Sequence, residues 1–204
     1  MASDFHTHDR ENAERVLVSA EHPVASRFTS LELHPWKIGA DFPGLPEEFA
    51  SELGQCAALG EVGFDALRGD AARQLELLPE LLGLAAKQHK PVVLHLVRPT
   101  DAVFAILDRY PLKYLVHGFR GKAEKLRNYL ERGYFVSFGS RALFDPGVAE
   151  FLKARGLERI GFETDDGNEN IREVLGLATK MLGRPDVGLV TDSTFDEFLF
   201  GGTR

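Results

Sequence analysis

The sequence has one cysteine, Cys56, in 204 residues. It cannot close an intrachain disulfide or anchor a cysteine-based zinc module, so any metal must be taken by His, Asp and Glu. Long hydrophobic runs are also missing. The longest, such as LLGLAA and PVVLHLV, fall far short of the roughly 18 residues that cross a bilayer, which excludes a transmembrane helix. The opening MASDFHTHDR is polar and charged from its fourth residue, and the missing apolar signal core leads to the expectation of a cytoplasmic protein. No low-complexity tract, linker or internal repeat is present, so one domain spanning residues 1–204 is expected. A basic surface is lacking too: the net charge of -7 disfavours uniform electrostatic gripping of nucleic acid. Its distribution is uneven, with seven basic residues (Arg109, Lys113, Arg120, Lys122, Lys125, Arg127 and Arg132) against two acidic ones (Glu124 and Glu131) between positions 109 and 132. That local excess suits an anion.

What is present is an alternation of two periods, in a chain that is 44% hydrophobic and 27% charged. Short β-branched or aromatic runs at 16–20, 28–33, 91–97, 113–119, 134–140 and 159–164, with DFHTH and LGEVGF, read as strands. Helical spacing separates most of them, at 70–88, 100–109, 121–132, 146–155 and 169–182, with Leu75, Leu78, Leu82 and Ala85 marking one face of the first. Gly133 reads as a helix stop, and Pro91 and Pro111 follow two other helix ends. Strands alternating with helices predict a mostly parallel sheet, and about eight of them suffice for a TIM-type (β/α) barrel, with a doubly wound open sheet as the alternative. The length is small for a barrel, and 9–34 has no room for a full helix. A trimmed, irregular α/β barrel that begins with a hairpin-like connection is therefore expected.

Placing the imidazoles and carboxylates on this scaffold gives the chemistry. His6 and His8, two apart on the first strand, face the same way. Glu61, His95, His117 and Asp165 each stand at the carboxyl end of a strand, the face on which barrel enzymes build their sites. Four imidazoles and two carboxylates on one rim suit two divalent ions, magnesium, manganese or zinc, with a bridging glutamate. A single strand-end histidine is more often an ordinary satisfied polar residue; six such groups from five strands, buried without an ion, would cost several kcal/mol. Two ions would activate a bridging hydroxide for in-line attack, with Glu61 and Asp165 as the catalytic carboxylates and Asp165 handling the water's proton. Glu163 and Asp65 are candidates for outer carboxylates that orient a ligand, or for turn caps. Arg98, Arg120, Lys122 and Arg141 follow strand ends and should ring the mouth, with Arg120, Lys122 and Arg98 as candidate substrate contacts. Trp36 is either a base-stacking platform or a plug for the barrel end. His22, His89 and Cys56 are given no role.

DFHTH, HPW, GEVGFD, PVVLH, HGFRG and ETDD occur in the order and approximate spacing of the TatD-related metal-dependent hydrolases, a family that includes deoxyribonucleases, and the chain resembles that family from about residue 4 to its closing TFDEFLFG. The resemblance implies that His6, His8, Glu61 and Asp165 hold one ion and Glu61, His95 and His117 a second, in a phosphodiesterase acting on DNA ends or small nucleotides. It departs from the pattern in three places. The loops after GEVGFD and after ETD are short, with only DGNEN before the next helix; HGFRG lacks the Cys and Ser that many members carry; and Arg98 lies three residues after His95 rather than two. An amidohydrolase-like activity on an amide, ester or lactone is the enzymatic alternative, and a non-catalytic barrel that has lost turnover is the other. No membrane contact and no obligate protein partner are expected.

Overall fold

The computed structural model describes residues 2–9, 15–25, 27–167 and 169–201. These form eight strands, β1 (Ser3–Thr7), β2 (Arg15–Ala20), β3 (Phe28–Leu31), β4 (Ala58–Asp65), β5 (Val92–Val97), β6 (Tyr114–Val116), β7 (Phe135–Phe138) and β8 (Ile160–Phe162). The helices are α1 (Phe49–Gln55), α2 (Ala71–Lys87), α3 (Asp101–Leu107), α4 (Ala123–Glu131), α5 (Ser140–Leu143), α6 (Pro146–Arg155), α7 (Ile171–Leu182) and α8 (Val187–Phe200). Strand order in the sheet follows chain order, β1 to β8, as in the (β/α) barrel class. A doubly wound sheet would reverse its order at a switch point, so that alternative is excluded. Among the described residues no helix is long and apolar enough to cross a membrane.

The chain divides into two compact units, one built from residues up to 18 and from 115 onward, the other from residues 19 to 114. In the first, β6, β7 and β8 pair in parallel, and Thr7 bridges in parallel to Asp165 beyond β8. Phe5 of β1 is fully buried and meets Phe195 of α8 edge to face at 5.3 Å. Asn170 caps α7 by a reciprocal pair of bonds with Glu173, and the helix turns its buried Ile171, Val174, Leu175, Ala178 and Leu182 inward. Gly133 does follow the end of α4, at φ +81°.

The hairpin-like beginning is corrected by the register. β1 and β2 run parallel, with Ser3 beside Arg15 and Asp4 beside Val16. The two strands of a hairpin run antiparallel, so the parallel register excludes one here. Residues 10–14 of that connection lie outside the described residues, as do Ser26 and Asn168.

In the second unit, β4 is buried at all eight positions and pairs in parallel with β3 and β5. Such a strand, covered on both faces, reads as a continuous apolar run, and a carboxylate inside it is anomalous unless it has a task. Gly63 lies beside His95 in the register, at φ +142°, and a Cβ there would fall well under 3.0 Å from the His95 carbonyl oxygen. The missing side chain lets the two backbones approach. Helix α2 starts at Asp70, whose carboxylate accepts from Arg73 N at 2.9 Å, and buries Gln74, Leu77, Leu78, Leu81, Leu82 and Ala85. Leu75, expected on that face, is only half-buried.

Candidate metal centre

Two clusters of metal-ligating side chains stand at strand ends, one in each unit. In the unit built on β1 and β6 to β8, His6 and His8 flank Asp165, with His6 Nε2 at 3.7 Å and His8 Nε2 at 3.9 Å from Asp165 Oδ1. The rings of His6 and His117 lie 4.1 Å apart. His6, His117 and Asp165 offer donor atoms close enough to share one ion, as do His8, Asp165 and Asp166. Asp165 sits at φ +53°, a region that aspartate tolerates better than most residues. Its amide donates to His6 O at 3.0 Å and its carbonyl accepts from Thr7 Oγ1 at 3.3 Å, so β1 holds it in that conformation.

Beneath this cluster lie two buried carboxylates. Asp4 accepts from Thr164 Oγ1 at 2.7 Å and from Thr164 N at 3.1 Å, tying β1 to the segment after β8. Burial pushes its pKa up to about 7 against the pull of those bonds. Glu163 accepts from Gly118 N at 2.6 Å and from Ser137 Oγ at 2.5 Å. Burial pushes it up to about 7 as well; the charge of His117 and the Ser137 bond oppose the rise, and Asp165 adds to it.

A cleft of about 580 Å³ opens beside Asp165 and is lined by Arg120, Arg141, Phe144, Glu163, Asp166 and Glu169 among others. Neither Arg120 nor Arg141 makes an ion pair among the described residues. Lys122 differs: its ammonium pairs with Asp145 at 2.7 Å and its side chain is 84% exposed.

In the other unit, Glu61 is 2% exposed on β4 and is fixed through its backbone, donating to Ser19 Oγ at 3.3 Å and accepting from Leu33 N at 3.1 Å. Its Oε1 lies 2.5 Å from His95 Nδ1 and 3.0 Å from His34 Nε2. His34, Glu61 and His95 therefore form a third group of donors within reach of one ion. Asp65 Oδ2 lies 3.3 Å from His95 Nε2 and accepts from Trp36 Nε1 at 2.6 Å, while Asp65 Oδ1 accepts from Leu67 N at 2.8 Å. Burial raises the Asp65 pKa, but the bonds from Trp36, Leu67 and His95 outweigh it and hold the carboxyl below its usual range. Arg98 follows β5 at φ +49° and is exposed.

Two participants escaped the sequence reading. His34 was noted only as part of HPW, although its position at a strand end was the signal used for the other histidines. Gln74 had no signal. Buried on α2, it accepts from Asp65 N at 2.8 Å and donates to Pro35 O at 3.2 Å and Arg68 O at 2.7 Å, tying the end of β4 and the turn after it to the segment after β3.

A family model described as TatD related DNase matches residues 5–174. The uncharacterized metal-dependent hydrolase YjjV of Escherichia coli is 31% identical over 139 residues, covering 64% of this chain and 53% of that protein. The deoxyribonuclease Tat-D of Schizosaccharomyces pombe is 32% identical over 119 residues, covering 55% of this chain and 38% of that protein. The matched segments thus span about half or less of these relatives' length. Among solved structures, YjjV superposes with a TM-score of 0.75 at 19% identity, and a TatD family hydrolase from Entamoeba histolytica with 0.75 at 13%, each covering 98% of both chains. These likenesses establish the TIM-type (β/α) barrel fold, and the family match establishes descent: the chain belongs to the TatD-related DNase family.

Proposed function

We propose that this chain is a divalent-metal-dependent hydrolase of phosphodiester bonds, acting on DNA from an end or on a small nucleotide. The observation that carries the reading is the cleft in which Asp165, among the histidines of one cluster, shares a wall with Arg120 and Arg141, neither of which is ion-paired among the described residues. Ligand donors beside such guanidinium groups suit a substrate whose reacting group is anionic. The name of the fission yeast relative points to DNA.

The donor set fits divalent metal. His6, His8, His117 and Asp165 in one cluster, and Glu61 and His95 in the other, combine imidazole nitrogens with carboxylate oxygens as zinc, manganese or water-rich magnesium requires. His95 Nδ1 and Glu61 Oε1 approach to 2.5 Å, so an imidazole nitrogen and a carboxylate oxygen stand together at the place where the second ion would be held. Two bound ions would supply Lewis acidity and an activated water. The chain's own groups do the rest. Asp165 accepts the water's proton, Arg120 and Arg141 hold the phosphate oxygens and neutralise charge that develops there, and Asp65 keeps His95 in place.

The test is metal content by elemental analysis of protein purified without chelator, with hydrolysis of bis-p-nitrophenyl phosphate under added magnesium, manganese and zinc. About two ions per chain and turnover abolished in Glu61→Ala are expected. Turnover of a neutral ester or lactone instead, unaffected by Arg120→Ala, would establish a carbonyl hydrolase. No ion and no turnover would refute the catalytic reading.

A further inference from the structure

The two histidines that face Glu61 are not equivalent. A neutral imidazole carries one N–H and one lone pair, and whichever nitrogen accepts a hydrogen bond leaves the proton on the other. The backbone N–H of Trp36 points at His34 Nδ1 from 3.1 Å. An amide can only donate, so Nδ1 holds the lone pair and the proton of His34 sits on Nε2, which is 3.0 Å from Glu61 Oε1. A protonated nitrogen cannot ligate a metal. His34 is thereby a hydrogen-bond donor to Glu61.

His95 is set the opposite way. Its Nε2 faces Asp65 Oδ2 at 3.3 Å, and that oxygen already accepts the indole N–H of Trp36 at 2.6 Å. Its Nδ1 lies 2.5 Å from Glu61 Oε1, so an ion ligated by Glu61 and by Nδ1 would leave the ring proton on Nε2, where Asp65 accepts it. One residue governs both rings, through its backbone on one side and its indole on the other. The indole is itself gripped, with the Arg68 guanidinium 3.9 Å above the ring.

We infer that Trp36 is a positioning residue for the metal centre, whose backbone N–H makes His34 a donor to Glu61 and excludes it as a ligand, and whose indole N–H, through Asp65, holds His95 as an Nδ1 ligand. The inference rests on the metal-hydrolase reading and adds to it an assignment of roles within HPW. It also gives Trp36 a task other than base stacking, whose indole half phenylalanine cannot perform because its ring has no N–H.

Zinc is the probe, in the full chain. Competition against a chromophoric chelator should show a 10- to 100-fold loss of zinc affinity in Trp36→Phe and in Asp65→Asn, the usual consequence of removing a group that orients a ligand histidine. His34→Gln keeps a donor toward Glu61 and should retain the wild-type zinc stoichiometry, whereas His95→Gln should lose an ion. Two-bond 1H–15N correlation spectra of the metal-free chain read the tautomers directly, with His34 expected as the Nε2–H form. Circular dichroism confirms folding of each variant. Loss of an ion in His34→Gln, an Nδ1–H signature for His34, or unchanged affinity in both Trp36→Phe and Asp65→Asn overturns the assignment while leaving the hydrolase reading intact. Absence of zinc binding by the wild-type chain overturns both.

Discussion

Replacing Gly63 by alanine tests whether the fold and the metal centre depend on the same backbone approach. Gly63 pairs with His95 across β4 and β5, and a Cβ on it would lie far inside normal contact with the His95 carbonyl oxygen and 3.2 Å from the His95 nitrogen. Both are backbone atoms and neither can rotate away. The clash costs about 1–3 kcal/mol, as overpacking in a close-packed interior does. The φ of +142° adds a further cost of about 1–3 kcal/mol for any residue with a side chain. Together about 4 kcal/mol is expected, which at roughly 2–4 °C per kcal/mol for a chain of this size is a fall in Tm of about 8–16 °C. Because the strain is relieved by pushing β5 away, His95 should also move from Glu61, and zinc affinity should fall with stability. Gly39→Ala is the control, since nothing lies within 4 Å of a Cβ there. Thermal unfolding followed by circular dichroism, with and without zinc, reads both effects. A Gly63→Ala protein that melts within about 2 °C of wild type and binds zinc equally would refute the claim that close strand approach sets the Glu61–His95 geometry.

Other outcomes follow from single contacts. Arg120→Ala should lower kcat/KM for bis-p-nitrophenyl phosphate by roughly 10- to 100-fold, the worth of a charge-assisted hydrogen bond, whereas Lys122→Ala, whose ammonium is turned to Asp145, should change it by less than about threefold. Asn170→Ala removes the α7 cap and should cost about 1 kcal/mol, seen as a Tm lower by roughly 2–4 °C. Cys56 is 3% exposed and burial pushes its thiol up to about 11, so iodoacetamide should leave it unmodified in the native chain at about pH 8 and label it in urea. Since folding raises that pKa, the folded chain holds the proton more tightly. The associated stability is complete below about pH 9 and is lost as pH rises towards 11, a decline that Cys56→Ala should lessen.

The strands were legible because a parallel strand buried on both faces is mostly apolar, and β4 and β5 read that way apart from Glu61, Asp65 and His95, the groups singled out for chemistry. The longer helices were legible from their stripes. Helix α5, with four residues, is too short to show a period. Helix α8 buries Thr191 and Thr194 among Val187, Phe195, Phe198 and Leu199 and leaves Leu189 and Phe200 exposed, so its apolar stripe is broken, and only the resemblance of TFDEFLFG pointed to it. The strand-end histidines and carboxylates could be found because a barrel places its chemistry at one end of every strand. Gln74 and the indole of Trp36 could not, because what makes them matter is a hydrogen bond to a residue 9 or 29 positions away.

The same limit explains why the carboxylates look alike in the sequence and behave differently in the fold. Asp4, Asp65 and Glu163 are all nearly inaccessible, and each receives at least two hydrogen bonds. Asp4 and Glu163 are pushed to about 7, so each is poised between its two forms near neutrality, whereas Asp65 is held below its usual range and stays ionised. The deciding quantity is the depth of burial weighed against the donors. Asp65 meets the least desolvation and takes the indole N–H, an amide N–H and the His95 ring, so the charged form wins. An ionised carboxylate is the stronger acceptor, and in the proposed arrangement it takes the N–H of both Trp36 and His95. Asp65→Asn would present the same shape without the charge, so a loss of zinc affinity in that variant would trace to the ionised state and not to the space the side chain fills.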